Sequence, residues 1–136
     1  MNLARIILQL CFNLVLALYF LSILFGQGDL KAIPWLLWPF CGVAGSVLIF
    51  MGNPLGDKLL LWSSFVTLAI GTLFHLLRIG FIIKNGGMEP PDGMGSPMAF
   101  ILGWIFTTVF MFLPGLAFVA WNMMHRRATA TKVVVS

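Results

Sequence analysis

The chain has 136 residues, of which 60% are hydrophobic and only 9% charged, with a mean hydropathy of +1.02. Soluble domains are about 45–50% apolar and about 25% charged, so this chain cannot keep its apolar surface from water by folding on itself. The formal net charge of +4 comes mostly from residues that flank apolar runs, where basic residues set membrane orientation and attract anionic headgroups. The composition therefore predicts an integral membrane protein that contacts membrane lipids and has no nucleic-acid partner.

Four apolar runs are long enough to cross a membrane: residues 6–26, 33–51, 59–83 and 98–124. A hydrocarbon core of about 30 Å requires roughly 18–20 residues of helix, which each run supplies. The residues outside these runs form short connections and tails, with no room for a soluble domain. We therefore predict an all-α integral membrane protein, with residues 1–136 as a single membrane domain of four transmembrane helices in an up-down bundle.

The connections carry local signals for helix ends. Asp57, just before the third run, is predicted to cap that helix, because an aspartate side chain accepts hydrogen bonds from the first free amides. The longest connection, 84–97, is predicted to be an outer loop, and 125–136 a basic cytoplasmic tail. Pro39 and Pro114 lack an amide hydrogen and are expected to kink or locally open the second and fourth helices.

Basic residues are divided unequally between the two sides of the predicted membrane. Four spans place both termini on one side, and five basic residues lie there: Arg5, Lys58, Arg126, Arg127 and Lys132. The opposite side holds Lys31 and Lys84, with Arg78 near the end of a span. Because cytoplasmic segments carry the excess of Lys and Arg, both termini are predicted to be cytoplasmic. We expect a multi-pass protein of a bacterial inner membrane or a comparable energy-transducing membrane.

The third span carries a polar stripe on one face. At 100° per residue, five small or polar residues fall within an arc of about 80°: Ser64, Thr67, Gly71, His75 and Arg78. Such a stripe predicts either contact with neighbouring helices or a ligand-lined cavity. The long side chain of Arg78 is expected to reach the headgroup region, near Lys84. His75 is too short to do so and needs a hydrogen-bond partner within the membrane.

Helical rise indicates which residues lie at the depth of His75. Thr107 and Thr108 are about 15 Å into the fourth span from the same side, and Tyr19 and Cys41 are about 10 Å into the first and second. These residues give an outer candidate cluster for ligand binding or helix packing: Tyr19, Cys41, His75, Arg78, Thr107 and Thr108. Similar depths predict an inner polar packing layer: Gln9, Asn13, Ser64 and Thr67.

Most residue types needed for membrane chemistry are missing from the spans. No Asp or Glu lies inside any predicted span, which removes the usual carboxylate of proton-coupled transport and the paired carboxylates of acid–base catalysis. No nucleophile–base pair is recognisable, and the two cysteines, Cys11 and Cys41, have no metal-ligand spacing. We therefore expect no enzyme activity and no metal site, apart from His75 as a candidate axial ligand to a pigment.

The function that the sequence favours is a small accessory or structural subunit of a larger membrane complex, which positions neighbouring subunits, lipids or a cofactor. The alternative is an outer-leaflet site in which His75 and Arg78 bind a quinone, a lipid headgroup or a chlorophyll- or haem-type pigment. A small transporter or membrane enzyme comes third. These alternatives stay open because a histidine–arginine stripe serves a protein contact and a ligand contact equally well.

Overall fold

The computed structural model describes residues 2–86 and 97–135, so most of the predicted outer loop lies outside the described residues. The described chain is helical apart from short turns, and its elements are α1 Leu3–Gln27, α2 Ala32–Phe50, α3 Leu55–Asn85, α4 Pro97–Thr107, a π-helical turn Thr108–Phe112, and α5 Leu113–Val135. Four helices are long and apolar enough to cross a membrane: Leu3–Gln27, Ala32–Phe50, Leu55–Lys84 and Phe100–Val134. The prediction of an all-helical, multi-pass membrane protein is confirmed at this level.

Short polar residues and glycines with positive φ mark the helix ends of the first three spans. Asn2 accepts a hydrogen bond from the Arg5 amide at 3.4 Å, and α1 ends at Gly28, whose φ of 65° suits a residue without a Cβ. At the start of α3, Asn53 Oδ1 accepts from the Leu55 amide at 2.9 Å. The prediction that Asp57 caps this helix is therefore wrong. The helix begins at Leu55, two residues before Asp57. The Asp57 carboxylate therefore makes a different contact.

The described chain divides into two compact units, the first from Met1–Val66 and Phe118–Ser136, the second from Thr67–Ala117. In the first unit, α2 and α3 approach at Gly45 and Gly56, where a Cβ on Gly56 would lie 2.5 Å from the Gly45 carbonyl oxygen. Two glycines at this crossing let the backbones come closer than larger residues would permit. All seven buried apolar residues of the described chain lie in the first unit: Ile6, Ala17, Ala32, Leu36, Trp38, Leu60 and Val119.

The second unit also contains close backbone approaches at glycines. A Cβ on Gly115 would lie 2.7 Å from the Leu68 amide nitrogen, and one on Gly71 would lie 3.0 Å from the Phe112 backbone. Glycines on the facing helices therefore allow α3 to contact the chain between 111 and 115. The side chains that this unit buries are polar, Thr67 and Thr107, and none of its described large apolar residues is buried.

A π-helical turn separates α4 from α5. Pro114 has no N–H to donate to the carbonyl one turn before it, and the Leu113 amide bonds the Thr108 carbonyl five residues back. The prediction that Pro114 locally opens its helix is thus confirmed. The wider turn begins at Thr108, which is one of the predicted partners of His75. Pro39 lies inside α2, which is α-helical from Ala32 to Phe50 without such an opening, and a kink at Pro39 stays a prediction.

Candidate functional site

The first unit encloses an arginine within a polar network. Arg5 is 1% exposed, and its Nη2 donates to Asp57 Oδ1 at 2.9 Å, which forms an ion pair between the start of α1 and the start of α3. Its Nη1 donates to Asn122 Oδ1 at 2.6 Å. His125 Nε2 lies 3.9 Å from the same Asp57 oxygen. A carboxylate balances the charge of the buried guanidinium and a side-chain amide satisfies a further N–H, while Nε is buried with no hydrogen-bond partner among the described residues.

Asn122, on α5, is the centre of this network. Its oxygen accepts from Arg5 and from Gln9 Nε2 at 3.1 Å. Its nitrogen donates to Gln9 Oε1 at 2.9 Å and to Ser64 Oγ at 2.9 Å. The amide therefore uses two lone pairs and two N–H groups, its full hydrogen-bonding capacity, to join α1, α3 and α5. We call these residues the Asn122 network: Arg5, Gln9, Asp57, Ser64 and Asn122.

A second hydrogen-bonded pair lies farther along α1. Asn13 Nδ2 donates to the Gln9 carbonyl at 2.7 Å, and Asn13 Oδ1 accepts from Ser63 Oγ at 3.1 Å. The Asn13 side chain occupies the space beside Gly42, where a Cβ would overlap its amide group. Gly42 thus makes room on α2 for a buried amide on α1.

The structure joins three of the four residues predicted as the inner packing layer, Gln9, Asn13 and Ser64, through direct or backbone hydrogen bonds. Thr67 is buried and belongs to the second unit. Sequence reasoning missed Asn122 and Ser63, and it treated Arg5 only as a flanking charge. Asn122 had a usable signal, because it is a lone amide near the end of an apolar run at the depth of Gln9.

In the second unit, two adjacent threonines connect α3 to α4 and its continuation. Arg78 Nη1 donates to Thr107 Oγ1 at 2.8 Å, and that hydroxyl donates to the Gly103 carbonyl at 2.9 Å. His75 Nε2 lies 3.2 Å from Thr108 Oγ1, whose hydroxyl donates to the Trp104 carbonyl at 2.9 Å. Each threonine hydroxyl therefore makes two hydrogen bonds, one with an ionisable side chain and one with a backbone carbonyl. We call these four residues the threonine relay: His75, Arg78, Thr107 and Thr108.

The relay favours one tautomer of the His75 ring. With the hydroxyl proton of Thr108 on the Trp104 carbonyl, the tautomer that completes the contact donates from Nε2 and carries the lone pair on Nδ1. Nδ1 is buried and has no hydrogen-bond partner among the described residues. The ring packs against Phe112 edge-on at 5.2 Å and lies 6.1 Å from Trp104 between centroids. His75 is thus held in place with one polar atom unsatisfied.

Arg78 is positioned by its own surroundings. Its guanidinium carbon lies 5.9 Å from the centre of the Phe74 ring, within the range of a cation–π contact. Gly103 on α4 faces the guanidinium, since a Cβ there would lie 3.4 Å from Nη2, at van der Waals contact. The small-x3-small pattern of Gly103 and Thr107 therefore faces Arg78, and Thr107 supplies the acceptor for one of its N–H groups.

The other two predicted members of the outer cluster belong to the first unit. Tyr19 is 59% exposed and makes an edge contact with Phe20 at 5.5 Å between ring centroids. Cys41 is a half-buried free thiol. Their participation in a site with His75 stays a prediction.

An apolar groove of about 420 Å³ lies on the second unit beside the relay. Its lining is Ile101, Trp104, Ile105, Thr108 and Val109. Trp104 and Thr108 are also the residues that contact His75, so the groove and the histidine share two residues. No group of three or more potential metal ligands is found in residues 2–86 and 97–135.

Comparison of the chain with protein families, with curated proteins and with solved structures finds no match.

Proposed function

We propose that this chain is a small accessory subunit of a larger membrane complex and that its second unit is the part that a neighbouring subunit covers. The observation that carries the proposal is the distribution of buried apolar residues, which, among residues 2–86 and 97–135, all lie in the first unit. Large apolar side chains of the second unit are exposed on both helices, among them Leu76 and Phe106. A partner helix would bury these residues and gain packing that lipid tails supply less specifically.

The proposal includes an up-down arrangement with both termini in the cytoplasm. The ion pair between Arg5 and Asp57 supports the up-down part of this proposal. It joins the start of the first span to the start of the third, and in an up-down bundle these two spans start on the same side of the membrane. The stacked pair Phe20 and Trp35, 6.4 Å between centroids, likewise brings the end of α1 near the start of α2. Fusing a reporter that is active only in the cytoplasm to the C-terminus tests this arrangement, and an inactive but inserted fusion would contradict it.

The accessory-subunit proposal is tested by the size of the particle that contains the chain. The full chain, tagged at its C-terminus and expressed at its natural level, is extracted from its own membrane in a mild detergent. We expect it to migrate well above the detergent complex of a single 15.1 kDa chain, with one other membrane protein in fixed ratio across two detergents. Recovery as a free chain in both detergents, folded by circular dichroism, would contradict the proposal.

A small-ligand site is the second candidate function, and the groove next to the threonine relay favours it. A quinone or lipid headgroup would place its apolar part against Trp104 and its polar part near Thr108. A pigment ligated through His75 is less favoured, because Nε2 faces Thr108 and Nδ1 is enclosed. Mass spectrometry of solvent extracts tests the ligand idea, with Thr108→Val and Thr72→Val as a matched pair. Thr72 bonds only the Leu68 carbonyl of its own helix, so only Thr108→Val should reduce a retained ligand.

A further inference from the structure

A second groove, of about 180 Å³, lies on the first unit between α3 and α5. Its lining is Leu61, Phe65, Met123, Arg126 and Arg127. Leu61 and Phe65 are four residues apart, so both side chains lie on the same face of α3. Arg126 follows Met123 by three residues on α5, which places them on neighbouring positions of that helix. The groove therefore has an apolar wall next to two guanidinium groups.

The two arginines are available to a ligand. Both are exposed, and neither forms an ion pair with a carboxylate in the part of the chain that the structure describes. Asp57, the carboxylate used in the first unit, is bonded to Arg5 and lies near His125. A guanidinium presents a planar fork of N–H donors that matches the oxygens of a phosphate. The chemistry at this end of the groove is thus complementary to a phosphate group.

We propose that this groove binds one anionic glycerophospholipid, with an acyl chain against Phe65 and Met123 and the phosphate on Arg126 and Arg127. The apolar wall selects a lipid over a free phosphate, because a free phosphate gains nothing from it. Two uncompensated cations select a headgroup of net negative charge over a zwitterionic one. All five lining residues belong to the first unit, so the site is independent of the partner proposed for the second unit.

The test is native mass spectrometry of the full chain in detergent, titrated with dioleoylphosphatidylglycerol or with dioleoylphosphatidylcholine. We expect one phosphatidylglycerol per chain, bound about fivefold to tenfold more tightly than phosphatidylcholine. Inorganic phosphate in large excess should not displace it. The double variant R126Q/R127Q should weaken phosphatidylglycerol binding about 25-fold, at about fivefold per arginine. The matched control K132Q removes a cation from the same helix that lines a different groove, and it should leave binding within about twofold.

Three results would overturn the site. Equal binding of the two lipids by the unaltered chain would remove the charge selectivity without any need for a variant. Displacement by inorganic phosphate would show that the arginines bind a free anion. An equal loss in K132Q and in R126Q/R127Q, with both folded by circular dichroism, would show a general surface-charge effect.

Discussion

In the first unit, one asparagine joins three helices through four side-chain hydrogen bonds, whereas in the second unit each of two threonines bridges one ionisable side chain and one backbone carbonyl. Asn122 has all of its polar groups used. Each unit keeps one buried nitrogen without a hydrogen-bond partner among the described residues, Arg5 Nε in the first and His75 Nδ1 in the second. Because replacing Asn122 would leave more buried partners unpaired than replacing either threonine, polar-to-apolar substitution is expected to destabilise the first unit more than the second.

The ion pair of the first unit should give the largest effect. Asp57→Asn leaves the charge of buried Arg5 uncompensated, and we expect a loss of about 3 kcal/mol in the free energy of unfolding, at the low end for buried pairs because Asp57 is 31% exposed. The measurement is unfolding in mixed SDS micelles followed by circular dichroism. Asp29→Asn is the matched control, because Asp29 lies in an exposed turn, and it should change stability by less than about 0.5 kcal/mol. Equal losses would contradict the assignment of Asp57.

Removing the centre of the Asn122 network should have the next largest effect. Asn122→Leu leaves donors or acceptors of Arg5, Gln9 and Ser64 unpaired, and we expect a loss of about 2–3 kcal/mol in the same unfolding measurement. Met123→Leu, at the adjacent exposed position, should be nearly neutral. If Asn122→Leu is also neutral, the network is dispensable and the contrast between the units fails.

Two glycines of α3 differ in their surroundings, since Gly56 is closely packed and Gly80 lies on an open surface. Gly56→Ala places a Cβ against the α2 backbone at Gly45 and should cost about 1–3 kcal/mol in the free energy of unfolding. Gly80→Ala, in the second unit, meets nothing within 4 Å. It should be neutral or stabilise the helix by up to about 1 kcal/mol, because alanine is the better helix former. A destabilising Gly80→Ala would show that this face is packed in the isolated chain.

The threonine relay should give the smallest stability change. Thr108→Val removes one interhelical hydrogen bond, and such bonds contribute about 0.6 kcal/mol on average in membrane proteins. Thr72→Val is the control, since the Thr72 hydroxyl bonds only its own helix. The sharper measurement is the ¹⁵N chemical shift of His75, which should change in Thr108→Val and stay constant in Thr72→Val. An unchanged His75 signal in both variants would contradict the assigned hydrogen bond.

The helices were predictable from the sequence because long apolar runs have few alternatives in a membrane. The π-helical turn was predictable in outline from Pro114, since a missing N–H must be accommodated locally. Depth along each span nominated Thr107 and Thr108 as partners of His75, and the structure places Thr108 at hydrogen-bond distance from it. Depth succeeds here because a helix rises by a constant amount per residue. The hydrogen bond from Arg78 to Thr107 was not predicted, since Arg78 was expected to reach the headgroup region.

Other features depend on how each helix is rotated about its axis and on how two helices cross. The depth of a residue along its span specifies neither. Arg5 has the sequence signature of a flanking charge, yet it is buried because Asp57 and Asn122 converge on it from two other helices. The contact between Gly45 and Gly56 depends likewise on how α2 and α3 cross, and a single glycine in an apolar run does not reveal its partner. These contacts become visible only when three helices are placed together.

The central claim is that the second unit, and not the first, is the surface that a partner covers. The most direct measurement is recovery of the complex after a bulky substitution on each unit at similar exposure, Leu76→Trp in the second unit (61% exposed) and Leu18→Trp in the first (65% exposed). Both variants are extracted in mild detergent, and the ratio of copurified partner to tagged chain is quantified. The account predicts that Leu76→Trp lowers this ratio severalfold while Leu18→Trp leaves it unchanged. Equal ratios, or a loss confined to Leu18→Trp, would contradict it.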